Sequence, residues 1–181
     1  MKEIAANERR NAVLAKLQKG NKGLRISYTL PVSPDGIGRD SQHLLTDSKA
    51  KGVNVFCANV MTMYFGPRFS RGKKMSDVSF ASALKAYEQC QTIDPQIKIG
   101  MTPLIGLNRQ MDENFTLDDA RAMLNWSTEH PWICSLSFWS SDRDSGRRQG
   151  GRSNGPATAP ATAPAQEPWA YTNVFKQFTA R

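Results

Sequence analysis

The sequence predicts an α/β protein built on a parallel sheet of four strands that alternate with helices. Two observations carry that expectation. Apolar runs recur at 24–32, 53–63, 97–105 and 133–139, and a segment of helical period precedes each one. The stretches between them are long enough for right-handed crossovers, which join parallel neighbours. A third observation bears on architecture. Four parallel strands fit either a small open doubly wound sheet or half of an eight-stranded barrel, and local pattern does not choose between them. No glycine-rich phosphate loop follows the first strand, where a nucleotide-binding open sheet most often carries one, and this leans the reading toward the barrel.

Residues 3–19 read as a helix with Ile4, Val13, Leu14 and Leu17 on one side, ended by Gly20 and Gly23. Residues 24–32 read as a strand closed by Pro34-Asp-Gly36. A helix around 40–51 stops at Gly52, and 53–63 is a long apolar run of the kind found in strands buried on both faces. Ser76 is expected to cap a helix carrying Phe80, Leu84 and Tyr87, which leads into the strand 97–105. Thr116 with Asp119 makes an acidic capping box for a helix to about 129, followed by the strand 133–139. Residues 146–166 are rich in Gly, Arg, Ala, Thr and Pro and read as a flexible or extended insertion; Pro168 then opens a closing helix to 178 with Tyr171, Val174, Phe175 and Phe178 on one face.

A length of 181 residues fits one domain, and the modest hydrophobic content of 39% owes part of its shortfall to the Ala/Thr/Pro stretch. The net charge of +8 raises nucleic acid or an anionic surface as a partner. The basic residues are scattered, however, and no nucleic-acid-binding signature accompanies them, so no nucleic acid is expected. Cys57, Cys90 and Cys134 lack a C-x-x-C pairing and read as buried thiols, while the two histidines, His43 and His130, support neither a Ser-His-Asp arrangement nor a metal site. No cofactor or metal is implied. Neither a signal peptide nor a membrane span is read, and localisation stays open.

The run Leu136-Ser-Phe-Trp-Ser-Ser-Asp-Arg-Asp144 carries the strongest functional signal. It releases Trp139 where an apolar strand gives way to hydroxyl and charged residues. Ligands of parallel α/β proteins sit at the carboxyl ends of strands, and an exposed Trp there suits the apolar face of a sugar ring. A core Trp closing the strand is the alternative.

Several strand ends together resemble one family. Ser27-Tyr-Thr-Leu-Pro-Val32, Asn59-Val-Met-Thr-Met63 before Gly66-Pro67, Met101-Thr-Pro-Leu-Ile-Gly-Leu-Asn108, Phe115-Thr-Leu, and Leu136-Ser-Phe-Trp-Ser140 with Arg143-Asp144 occur in this order. Each is weak alone, but five in register resemble the second half of a bacterial-type chitinase of glycoside hydrolase family 18, from about residue 9 to the final helix. The resemblance implies the carboxyl-terminal half of a (β/α)8 TIM barrel, strands five to eight, in a fold that needs about 250 residues when complete. Residues 1–181 are then a single partial barrel domain.

Complete members of the family hydrolyse β-1,4 bonds between N-acetylglucosamine units by substrate assistance, with a glutamic acid protonating the leaving oxygen. Their D-x-x-D-x-D-x-E signature belongs to the end of the fourth strand and is absent from this chain. No replacement acid lies in the four predicted strands, and Asp142 and Asp144 follow the last one in what reads as a polar loop. Relatives place an aspartate where this chain has Tyr64, and often another where it has Arg109 after Asn108. No catalytic residue is therefore assigned. By resemblance, Trp139 would floor the cleaved-sugar subsite, Met61 and Met63 would line its wall, Tyr64 would stand in the acidic position, and Tyr28 would point into the cleft. Their structural alternatives are core packing for the methionines and a place between strand and helix for Tyr28.

Three readings follow. The first is a truncated, inactive chitinase-like protein whose partner is chitin or an N-acetylglucosamine oligosaccharide. The second is a non-catalytic carbohydrate-binding or half-barrel interaction module, which would self-associate or join a separate amino-terminal half to cover its sheet edges. A third places Met1 inside a longer coding sequence, whose upstream part would carry the acid and the export signal that complete relatives generally have.

Overall fold

In the computed structural model, which describes residues 4–108, 111–145 and 167–179, a helix lies between each two successive strands of the parallel set. The helix α1 (Ile4–Gly20) leads to β1 (Ile26–Ser33), a short β2 (Gly36–Ile37), α2 (Arg39–Ala50) and β3 (Val55–Met61). A single turn α3 (Pro67–Ser70) and the long α4 (Met75–Ile93) precede β4 (Lys98–Met101). Then come β5 (Gly106–Asn108), β6 (Glu113–Phe115), α5 (Leu117–Glu129), β7 (Ile133–Leu136), a 3₁₀ turn (Ser141–Asp144) and α6 (Ala170–Phe175). The insertion expected at 146–166 lies outside the described residues, as does Arg109.

Five strands form the main sheet in the order β2-β1-β3-β4-β7. The four long ones run parallel, and β2 turns back along the end of β1 at Val32 and Ser33. Their spatial order follows their order in the chain, without the reversal that marks the ligand crevice of a doubly wound sheet. The helices keep the same sequence: α1 packs on α2, α2 on α4, α4 on α5 and α5 on α6. They therefore cover the sheet as one layer.

The alternating pleat explains what that layer buries. Ile26, Tyr28 and Leu30 of β1, Val55, Ala58 and Val60 of β3, Ile99 and Met101 of β4 and Ile133 of β7 share one buried cluster with Leu44 and Leu45 of α2 and Met123 of α5. A fully buried Leu or Ile contributes roughly 1.5–3 kcal/mol of transfer free energy. On the opposite side Ser27, Thr29 and Pro31 are exposed and Phe56, Asn59 and Met61 half-buried. The expectation that 53–63 is buried on both faces is thus corrected: one face is apolar and covered by helices. The other carries a polar ladder, in which Asn59 Nδ2 donates to Thr29 Oγ1 (3.3 Å) and Thr102 Oγ1 to Asn59 Oδ1 (2.9 Å).

Two helices present faces other than those expected. In α1 the buried residues are Asn11 and Ala15, while Ile4, Val13 and Leu17 are exposed. In α4 the buried stripe is small-residue rich, with Met75, Val78, Ser79, Ser82, Ala83, Ala86 and Cys90, and Leu84 is exposed. Phe80 and Tyr87 instead stack on Trp126 and Trp132 beside α5. Nor is Ser76 a cap: it lies inside α4, and its backbone N–H donates to Asp119 Oδ1 of α5 (3.0 Å). Asp119 also closes the expected capping box with Thr116 at the start of α5.

Candidate functional site

The carboxyl ends of β3, β4 and β7 assemble the candidate site. Strand β7 gives way after Leu136, but its course continues alongside β4 to a bridge between Leu104 and Trp139. The Trp139 backbone is held at both ends, its N–H donating to Pro103 O (2.8 Å) and its carbonyl accepting from Ile105 N (2.9 Å). Its side chain is 62% exposed. A rigid main chain presenting a free indole is the arrangement that an aromatic platform needs, because little ordering entropy is lost on contact. The Trp139-Ser140 peptide is cis.

At the end of β3, Met61 and Met63 are half-buried, on either side of the buried Thr62. Tyr64 follows with a left-handed backbone (φ 57°) and a side chain 48% exposed. Only β4 separates β3 from β7. Strand spacing alone therefore puts the ends that carry Tyr64 and Trp139 about 10 Å apart, on the scale of a sugar ring or two.

Glu113 fixes this corner. It sits on β6, in a hairpin with β5 that the sequence reading did not anticipate, and is 4% exposed. Its carboxylate accepts from the backbone N–H of Tyr64 (3.1 Å) and of Gly66 (2.9 Å), and from Asn108 Nδ2 (3.5 Å). A buried carboxylate with its lone pairs given to main-chain donors is a strut rather than a proton donor. Glu113 and Phe115 are buried and Asn114 between them is exposed, an alternation that the residue types Glu-Asn-Phe do not announce in the sequence.

The carboxylates after β7 divide. Asp142 accepts from the Ser140 hydroxyl at the surface. Asp144 is fully buried, which corrects the expected polar loop. It accepts from the N–H groups of Tyr171 (2.9 Å) and Thr172 (2.8 Å) and from Thr172 Oγ1 (2.7 Å), capping α6. Between them Arg143 spends its guanidinium on Ile105 O (2.8 Å) and Leu107 O (2.7 Å), tying the turn to β5. Tyr171 Oη donates to Phe115 O (2.7 Å), and burial pushes its phenol above the ordinary range.

Tyr28 does not point into the cleft. It is 7% exposed on the helix side of β1, where its hydroxyl donates to Asn11 Oδ1 and accepts from Ser48 Oγ (3.2 Å). The pleat sets Tyr28 on the face opposite Ser27 and Thr29, and the helices cover that face. His130 stacks on Trp126, with Nδ1 against Trp126 O (2.6 Å). Among the described residues no group of three or more His, Cys, Asp or Glu could hold a metal ion, and no helix is long and apolar enough to cross a membrane.

No family model matches the chain. It is 31% identical over 157 residues to a probable bifunctional chitinase/lysozyme of Escherichia coli (strain K12) and equally to Endochitinase 11 of Metarhizium anisopliae. Those matches take in 77% of this chain but 17% and 30% of the two relatives, so the chain spans less than a third of either. Crystal structures of a Pyrococcus furiosus chitinase are also similar: the catalytic domain, and catalytic-site mutants of its active domain 2 with chito-oligosaccharides. They superpose with a TM-score of 0.74 at 28% identity over 94% of this chain and 56% of theirs.

Proposed function

We propose that the chain, which is similar to chitinases over most of its length, forms one wall of a cleft for N-acetylglucosamine polymers, made from strands five to eight of a family 18 barrel, and that alone it does not hydrolyse them. The exposed Trp139 at the end of β7 carries this reading. Its indole would lie under the apolar face of one sugar, with Met61 and Met63 beside it and Tyr64 on the rim. In this register β1, β3, β4 and β7 correspond to the fifth to eighth barrel strands, and the unreversed strand order supports that correspondence.

Hydrolysis needs a general acid placed at the leaving oxygen. None of β1, β3, β4 and β7 contains Asp or Glu, and the buried carboxylates nearest the strand ends, Glu113 and Asp144, are committed to backbone N–H groups. The purified chain incubated with chitin oligomers is expected to release no reducing ends above a blank. Release of them would overturn the inactivity.

An interaction module is the second reading, and the border formed by α1 and β1 favours it. Along residues 26–31 the outer edge of β1 has no strand partner among the described residues. A groove of about 470 Å³ runs there between Arg10, Leu14, Arg25, Tyr28 and Leu44. Val13, Leu17 and Leu24, of α1 and the segment leading into β1, are exposed as well. A second copy or an amino-terminal half-barrel would pair that edge and cover those side chains. Size-exclusion chromatography tests it: association supports the module, and a well-behaved monomer that ignores an added amino-terminal half argues against it.

A further inference from the structure

The face of the sheet that none of the described helices covers holds a thiol pair that the sugar reading does not use. Cys57 lies on β3 and Cys134 on β7, with β4 running between them. Their sulfurs nonetheless stand 2.8 Å apart, both residues buried and unbridged. Two features of β4 allow this meeting. Gly100 leaves the space open: a Cβ there would come within 2.3 Å of Ser135 Oγ and 3.1 Å of Cys57 Sγ. The β4–β7 register also slips, with Ile99 opposite Ile133 but Gly100 opposite Ser135, so Cys134 is the extra residue of a bulge.

We propose that Cys57 and Cys134 are a disulfide-forming site, closed by a peroxide-class oxidant, that bridges β3 to β7 across Gly100. The sulfurs must approach by less than about 1 Å to reach a bond of ~2.05 Å, and β3 and β7, which ideal spacing puts about 10 Å apart, must be drawn together until the two Cα atoms lie within about 7 Å. The Cys57 thiolate attacks one peroxide oxygen, and the departing hydroxide takes up the proton that Cys57 lost, leaving a sulfenic acid and water. Cys134 sulfur then attacks Cys57 sulfur, giving its own proton to the hydroxyl that leaves as a second water. Two thiols and one hydrogen peroxide thus become one disulfide and two waters, with two electrons passing from sulfur to oxygen. The hydrogen bond donated by Cys134 holds the Cys57 thiol below its ordinary range and raises Cys134 itself, which makes Cys57 the attacking group. Cys90, fully buried on α4, has its thiol pushed up to about 12 by burial and stays out of the reaction.

This inference goes beyond the sugar reading and does not depend on it. The bond would join the two strands whose ends present Tyr64 and Trp139. The full chain is treated with hydrogen peroxide and examined by free-thiol titration, intact mass and peptide mapping without reductant. The count is expected to fall from three thiols to one, with the loss of two hydrogens, a Cys57–Cys134 peptide pair, free Cys90 and a higher Tm that thiol reductant reverses. In Cys134→Ser, a dimedone-reactive sulfenic acid should persist on Cys57. Three surviving thiols, a bridge to Cys90, disulfide-linked dimers, or separate oxidation of the two cysteines without a bridge would each overturn the proposal.

Discussion

Trp139 and Tyr28 are both aromatic residues of parallel strands or their continuations, and their fates are opposite because the pleat sends one to the covered face and leaves the other at a strand end. Trp139 is 62% exposed with its backbone tied to Pro103 and Ile105, whereas Tyr28 is 7% exposed. The phenol of Tyr28 satisfies Asn11, which is fully buried, so Tyr28→Phe is expected to cost about 1–3 kcal/mol in urea unfolding. Oligosaccharide affinity should not change, and a loss of affinity would return Tyr28 to the cleft. The position of Trp139 was legible in the sequence because the change from apolar to polar residues marks a strand end. Which face Tyr28 takes was not legible, since a period of two does not say which side the helices cover. Glu113 was hidden for another reason: its partners are main-chain N–H groups of Tyr64 and Gly66, far away in sequence.

Elements with local punctuation were the readable ones. The Thr116/Asp119 box opens α5 where expected, and Gly52, in the left-handed region at φ 77°, follows α2. The start of α4 was misread because its N-terminal donor is served by Asp119 from α5, a tertiary cap without a local signature. Its face was misread because a helix lying close against a sheet buries small residues, here Ser79, Ser82, Ala83 and Ala86, and leaves larger ones to its flanks. The closing helix α6 depends on Asp144 in the same long-range way. With Tyr171 N–H and Thr172 N–H left without that acceptor, Asp144→Ala should cost about 1–3 kcal/mol and open the 167–179 segment to new cleavage in limited proteolysis. An unchanged urea midpoint and cleavage pattern would count against the latch.

At the scale of the molecule, one face of the sheet is apolar and covered, and the other polar. The covered side fixes an alkaline limit to stability. Cys90 is fully buried there, its thiol raised from about 9.0 to about 12 by burial, so folding favours the neutral form. That contribution is fully present below about pH 9 and is lost as pH rises toward 12. The unfolding free energy should therefore fall above pH 9, and Cys90→Ala should flatten the slope by close to one proton; an equal slope in the variant would contradict the assignment. The parallel sheet and its helix alternation were legible from four apolar runs, and the similarity to chitinases from the strand ends.

The polar side, left open by the described helices, gives the central claim its most direct test, which is calorimetric titration of an N-acetylglucosamine hexamer into the chain. A binding wall without an acid predicts saturable heat that returns to baseline after each injection, and at least tenfold weaker binding, ~1.4 kcal/mol, in a Trp139→Ala variant with unchanged Tm. Steady heat from turnover, or binding that is absent or indifferent to the loss of Trp139, would contradict it.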